Sequence, residues 1–337
     1  MHPSQHAPSF HTRITDLFGI RHPLLLGGMH ILGESGLVAA VVNAGGMGFI
    51  TARSFPSPDA LRADLRRCHA LTGGQPFGVN ITLARRADAN AAAQDWIRVA
   101  LQEGVRHFES AGGPPGELVG PIQQGGGILI HKCPSVRHAL SAERCGVDAV
   151  ALVGMEEGGH PGANPLPTFV NGAHALQSVS VPLVLGGGIG TGRQIAAALA
   201  LGADGVVMGS RFMVAAETAA HDALKRRIIA SGVNGSITIM DSLSDTWRVL
   251  DNAAAREVRR LEASGVRRHA DFGDLILSSR TREKVYRDGD VEAGIVSLGP
   301  AGGFADDIHP AGWIVERLIG DAVEATRSLG QRLVALP

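Results

Sequence analysis

The chain has 337 residues, 45% of them hydrophobic and 19% charged, enough to bury one large core or a core with an appendage. A formal net charge of -1 and 4% aromatics, with Tyr286 the single tyrosine, leave no basic footprint or stacking platform for nucleic acid and no charge to hold an anionic membrane. The N-terminus has no basic-then-apolar leader and no run reaches about 18 apolar residues. Cys68, Cys133 and Cys145 are too scattered for a disulfide framework, so a cytoplasmic location is expected.

In chain order, strand-like runs fall at His22–Met29, Met47–Ala52, Phe77–Leu83, Val105–Ala111, Gly127–Cys133, Ala149–Val153, Val181–Gly187 and Gly205–Phe212. Amphipathic stretches such as Pro58–Leu71, Ala91–Glu103, Ser135–Cys145 and Thr191–Leu201 separate them. Runs such as PLLL, AVALV and GVVM are apolar without alternation, as strands buried on both faces are. Eight such units predict a closed α/β (β/α)8 TIM barrel over residues 1–212; an open doubly wound sheet is the weaker alternative. Gly154–Thr168 is too rich in Gly and Pro for a helix and is expected to loop over the sixth strand's mouth. Beyond Phe212 the alternation stops. Val214–Ile229, Asp245–Ala263 and Pro310–Leu336 suggest helices, with a glycine-containing loop at Ser297–Asp307. Residues 213–337 are therefore expected to form a C-terminal helical appendage covering the substrate, its last helix packing back on the barrel.

Barrel enzymes carry their chemistry at the C-terminal ends of the strands. The strongest signal there is a pair of late turns, GGGIGTGRQ after strand seven and MGSRF after strand eight. Glycines let backbone amides close on a phosphate, and a helix N-terminus adds its dipole. Gly186, Gly187, Gly188, Gly209 and Ser210 are thus candidates for a phosphate cradle, though either turn alone would also suit tight chain reversal. A dinucleotide-binding G-x-G-x-x-G is absent.

His160, in a glycine-rich loop, is the candidate acid–base residue, with an exposed loop histidine as the plainer reading. Glu156 and Glu157 would raise its pKa or simply be solvated. Lys132 ends a buried strand and must face the barrel mouth or a carboxylate partner. Cys133 suits a small buried hydrophobe better than a low-pKa thiol. The 14 histidines include no metal-ligand spacing, so no metal is expected.

At these residues the chain resembles the nitronate monooxygenase family, formerly the 2-nitropropane dioxygenases, and the related bacterial NADH:quinone reductases. HPLLLGGM, NAGGMGFI, FGVNITL, HKCPSVRHALSAERCGVDAVAL, EEGGHPG, VPLVLGGGIGTGRQIAAALALGADGVVMGSRF and SLSDTWRVLDNAAAREV carry the resemblance over nearly the whole chain. It implies non-covalent FMN in a barrel with a helical second region. It places Gly28 and Met29 by the isoalloxazine, with Asn80, Thr82 and Lys132 at its polar edge. Gly158 and Gly159 would lie by the flavin, and Gly187, Gly188, Gly209 and Ser210 would hold the phosphate. His160 matches the family histidine that acts as base or orients substrate.

The implied activity is oxidation of small nitronates with O2 to carbonyl compounds and nitrite, which calls for a small, largely apolar pocket. The alternative is an NAD(P)H-dependent quinone or enone reductase, with Arg85 and Arg86 on the dinucleotide's phosphates. A non-redox barrel binding a phosphorylated metabolite is the third reading. The branch signals conflict. The quinone-reductase branch matches HKCxxVRHA, but its proline-containing loop after strand three is replaced by ARRADANAA, and E-x-G-G-H suits the monooxygenases.

Overall fold

The computed structural model describes residues 8–84, 90–162 and 166–333. Eight parallel strands close into a barrel: β1 Leu24–Leu26, β2 Met47–Thr51, β3 Gly78–Leu83, β4 His107–Gly112, β5 Ile128–Cys133, β6 Ala149–Val153, β7 Leu183–Gly186 and β8 Gly205–Met208. Closure is direct, with Leu24 of β1 opposite Val206 of β8 and Leu26 opposite Met208. The apolar runs are buried on both faces because one face fills the barrel and the other meets the helices. Leu25, Met47, Phe49, Ile130, Ala151, Val184 and Val207 form the interior.

A short helix, α1 (Arg13–Phe18), stoppers the N-terminal end of the barrel by adding Ile14 and Phe18 to that interior. The Thr12 and Thr15 side chains form a reciprocal cap at its start, and Arg13 grips Asp204 through two hydrogen bonds of 2.9 and 2.7 Å. The outer ring follows as α2 Ser35–Asn43, α3 Pro58–Thr72, α4 Ala93–Gln102, α5 Gly116–Gln124, α6 Val136–Cys145, α7 Thr168–Ala175 and α8 Gly192–Leu201.

β8 ends at Met208, short of the expected Phe212, because Gly209 leaves extended geometry and Ser210–Phe212 coil into a 3-10 turn. Beyond it come α9 Asp222–Ser231, β9 Ser236–Ile239, β10 Trp247–Leu250, α10 Ala253–Ala263, α11 Ser278–Arg280 and α12 Ala311–Gly330. Two expected helices need correction. The one placed at Val214–Ile229 begins only at Asp222, and the one placed at Asp245–Ala263 is two elements. There the aromatic and β-branched run Trp247–Leu250 pairs antiparallel with β9, Trp247 opposite Ile239. Asn252 then caps a new helix by accepting from the Ala255 N–H at 2.9 Å. The appendage is therefore not purely helical.

Ala311, Ile314, Val315, Leu318, Ile319 and Ala322 of α12 share the outer core with the ring helices. A Cβ on Gly192 would lie 2.4 Å from the Leu318 carbonyl oxygen, so only glycine lets the two helices approach this closely. No helix among the described residues is long and apolar enough to cross a membrane.

Candidate functional site

A cleft of about 1060 Å3 opens at the C-terminal ends of the barrel strands and runs out beneath the region after β8. Its floor is built by polar groups of β3 and charged groups of β4 and β5. Glu109, 1% exposed on β4, accepts hydrogen bonds from the Gly28 N–H at 2.8 Å and from Asn80 Nδ2 at 2.5 Å. Its other oxygen lies 3.8 Å from Lys132 Nζ. Thr82 donates to Asn80 Oδ1 at 2.8 Å, which fixes the amide's orientation. Desolvation pulls the Lys132 ammonium down, but the carboxylates of Glu109 and then Glu157 outweigh it and hold the pKa above the usual lysine value.

The β6 loop forms one wall, and its two adjacent glutamates part company. Glu156 turns back to accept from the Thr168 N–H and hydroxyl at 3.0 and 2.9 Å, tying the loop to the start of α7. Glu157, also on the lining, makes no such tie; there burial pushes its carboxyl up to about 7, Lys132 pulls the other way and Glu109 adds to the rise. Cys133, also on the lining, has its thiol pushed up to about 12 by burial and by Glu157, so it is held as an inert thiol.

Glycine turns from three strands meet on the next side. Gly187 and Gly188 are consecutive residues with φ of 91° and 74°, conformations that glycine adopts without penalty. A Cβ on Gly158 would sit 2.5 Å from the Gly299 nitrogen and 2.9 Å from Ser210 Oγ. Ser210 Oγ accepts the Gly299 N–H at 2.8 Å, so the β6 and β8 turns and the Gly299 loop close on one another. The helix α8 begins just beyond, with Thr191 and Gln194 forming a reciprocal cap.

The hairpin after β8 supplies the outer wall. Gly159, with φ of 120°, pairs with Arg248 through backbone hydrogen bonds of 3.0 and 2.7 Å, and Arg248 Nε donates to the Met155 carbonyl at 2.8 Å. That clamp lays the exposed His160 ring on Trp247, centroids 4.9 Å apart and planes within 22° of parallel. Trp247 is held in turn by its Nε1–H donating to Ser297 Oγ at 2.8 Å.

Of the residues singled out in the sequence, Gly28, Met29, Thr82, Lys132, Gly158, His160, Gly187, Gly188, Gly209 and Ser210 line the cleft. Asn80 lies beneath it as part of the Glu109 network. Gly159 serves the hairpin clamp, and Gly186 is packed against Val207, where a Cβ would meet Cγ1 at 2.5 Å. Arg85 and Arg86 lie outside the described residues. Glu109, Trp247 and Ser297 escaped the sequence reading. Glu109 sits mid-strand in HFESAG, and a charged residue inside a run expected to be a buried strand was the available signal. Trp247 was hidden by reading its segment as helix. Among the described residues no three His, Cys, Asp or Glu side chains converge as a metal cluster would.

The family model for nitronate monooxygenases matches residues 11–321. The chain is 30% identical to (3aS,4S,5R,7aS)-5-hydroxy-7a-methyl-1-oxo-octahydro-1H-indene-4-carboxyl-CoA dehydrogenase of Mycobacterium tuberculosis, over 93% of this chain and 96% of that one. FabK from Thermotoga maritima superposes with a TM-score of 0.86 at 33% identity, covering 96% of this chain and all of FabK. A nitroalkane oxidase from Streptomyces ansochromogenes gives 0.79 at 25% identity, covering 94% and 99%. The oxidoreductases among these relatives, the closed barrel and the cleft at its strand ends make this chain an enzyme of the nitronate monooxygenase family.

Proposed function

We propose that the protein is an FMN-dependent oxidoreductase whose substrate is an extended acyl thioester of the coenzyme A type. The observation that carries the substrate class is the cleft's size. Ligand pockets run roughly 300–1,000 Å3, and a cleft of about 1060 Å3 lies at the top of that range, more than a flavin and a small nitronate would fill. A small nitronate would need a small, apolar pocket instead. Exposed Arg53 and Arg137 on the rim offer charge to the phosphates of such a substrate. The indene-carboxyl-CoA dehydrogenase relative supports the same class.

The residues present fit FMN. The turns at Gly187–Gly188 and Gly209–Ser210 suit its phosphate, while Gly28, Met29 and Lys132 border the place its ring system would occupy, with Thr82 beside Asn80 at the polar edge. When bound, FMN would supply two-electron acceptance and donation. Lys132 stabilises negative charge developing beside it, and Glu109 fixes the position of Lys132. His160, backed by Trp247, orients the substrate or exchanges a proton with it at the mouth. On this reading residues 213–337 cover a barrel of residues 1–212.

The second reading, nitronate oxidation by O2, draws on His160 at the cleft mouth and on the nitroalkane oxidase neighbour. Anaerobic mixing of FMN-loaded enzyme with a saturated acyl-CoA, with ethylnitronate, and with NADH or NADPH separates these possibilities. Bleaching of the flavin by the thioester supports the proposal. Bleaching by nitronate alone replaces it with the second reading, and bleaching by NAD(P)H alone points to a quinone or enone reductase. A protein that takes up no flavin at all would favour a phosphometabolite-binding barrel.

A further inference from the structure

We propose that Glu157 is a second proton-transfer group of this site, working from the cleft wall beside Lys132 while His160 works at the mouth. The proposal rests on the acyl-thioester reading and adds a residue to it.

Glu157 lies on a turn fixed from three sides: its own N–H bonds the Gly154 carbonyl at 3.0 Å, Glu156 is anchored to Thr168, and Gly159 is bridged to Arg248. A glutamate on such a turn has a set direction, unlike a solvated loop carboxylate, and this one faces into the cleft. The charged and titratable groups that act on it come from neighbouring strands, Lys132 on β5 and Glu109 on β4, and it acts in turn on Cys133 of β5. Glu109 is committed to Gly28, Asn80 and Lys132, so it cannot serve as a proton shuttle without dismantling the floor. Cys133 is held as a thiol. Among the carboxyls of the lining, Glu156 is tied to Thr168 and Asp245 pairs with His269 at 2.9 Å, whereas Glu157 sits beside Lys132, and its titration near neutrality lets it both give and take a proton.

In oxidation, the Glu157 carboxylate takes the proton from the carbon α to the thioester carbonyl, and that C–H electron pair forms the new C=C bond. The β-hydrogen leaves with its own electron pair to a flavin-class acceptor. Reduction is the reverse, with protonated Glu157 returning its proton to the α-carbon. Lys132 neutralises the carboxylate in either direction.

The test uses the full-length FMN-loaded enzyme with butyryl-CoA in D2O under anaerobic conditions. Hydrogen–deuterium exchange at the α-carbon is followed by NMR, and binding by the change in flavin absorption. The wild-type exchange rate is expected to rise as pH passes through about 7. Glu157→Gln should lower it by about 10²–10⁴-fold and erase the pH step, Glu157→Asp should restore part of the rate, and both variants should keep FMN. A carboxyl infrared band that loses its proton over the same range should vanish in Glu157→Gln. Unchanged exchange and pH profile in Glu157→Gln overturns the role of Glu157 and leaves the thioester reading standing. Wild-type protein that shows no flavin perturbation with butyryl-CoA overturns that reading itself, and this role with it.

Discussion

Glu156 and Glu157 are indistinguishable as letters, and nothing in EEGGH assigns them different fates. The structure separates them because α7 begins where Glu156 can accept the Thr168 N–H, which leaves its neighbour to face Lys132. The same dependence on distant chain explains why Lys132 was legible only as a choice between a partner and the mouth. It has both, Glu109 below and the cleft above. Removing one member of a buried pair strands the other's charge. Lys132→Met is therefore expected to cost about 3 kcal/mol in a urea melt at neutral pH. Adding Glu109→Gln should recover part of the loss, since Gln keeps an acceptor for Gly28 and Asn80. A single variant as stable as wild type would show that the two do not act as a pair. Without Lys132's downward pull, the Glu157 carboxyl should also titrate higher than in wild type.

At the scale of elements, the eight strands were legible because burial on both faces makes them uniformly apolar, a pattern that survives without any knowledge of partners. The β9–β10 hairpin was not. WRVL is four residues long, joins α10 through only Asp251 and Asn252, and gains its strand character from pairing with SITI. The glycine turns were legible as turns, but their mutual closure was not. Gly158 meets Gly299, far along the chain, at a distance that excludes a side chain. Gly158→Ala is expected to push the Gly299 loop off the barrel, destabilising the protein by about 1–3 kcal/mol and weakening flavin binding more than a remote change of equal cost. Differential scanning calorimetry with and without FMN checks this. Wild-type thermal stability in the variant would show that the contact is slack.

For the whole molecule, the closed barrel was legible from its eight apolar strand runs, and α12 lies in the same core as the ring helices. The cleft's volume was not foreseeable, since it depends on how far the region after β8 stands off the barrel mouth. Burial has a further global consequence. His22, His107 and His131 are each pushed down to about 4, chiefly by desolvation, with Arg21 adding to the shift at His22 and His138 then Lys132 at His131. Each is neutral in the folded chain while the unfolded chain takes up a proton below its ordinary value of 6.5. Unfolded protein then binds more protons, so stability is full above that value and falls as pH drops from 6.5 toward 4. The loss over the window is about 3 kcal/mol per histidine. Urea midpoints measured across it should fall steeply, and a flat profile would mean that these rings are already charged.

The central claim is that the turns after β7 and β8 hold the phosphate of a flavin. Comparing FMN with riboflavin by titration calorimetry tests it most directly, because the two ligands differ by that phosphate alone. Charge-assisted hydrogen bonds contribute about 1.5–3 kcal/mol each, so two or more of them should make FMN bind at least about 10²-fold more tightly. Equal affinities, or no binding of either, would contradict the cradle.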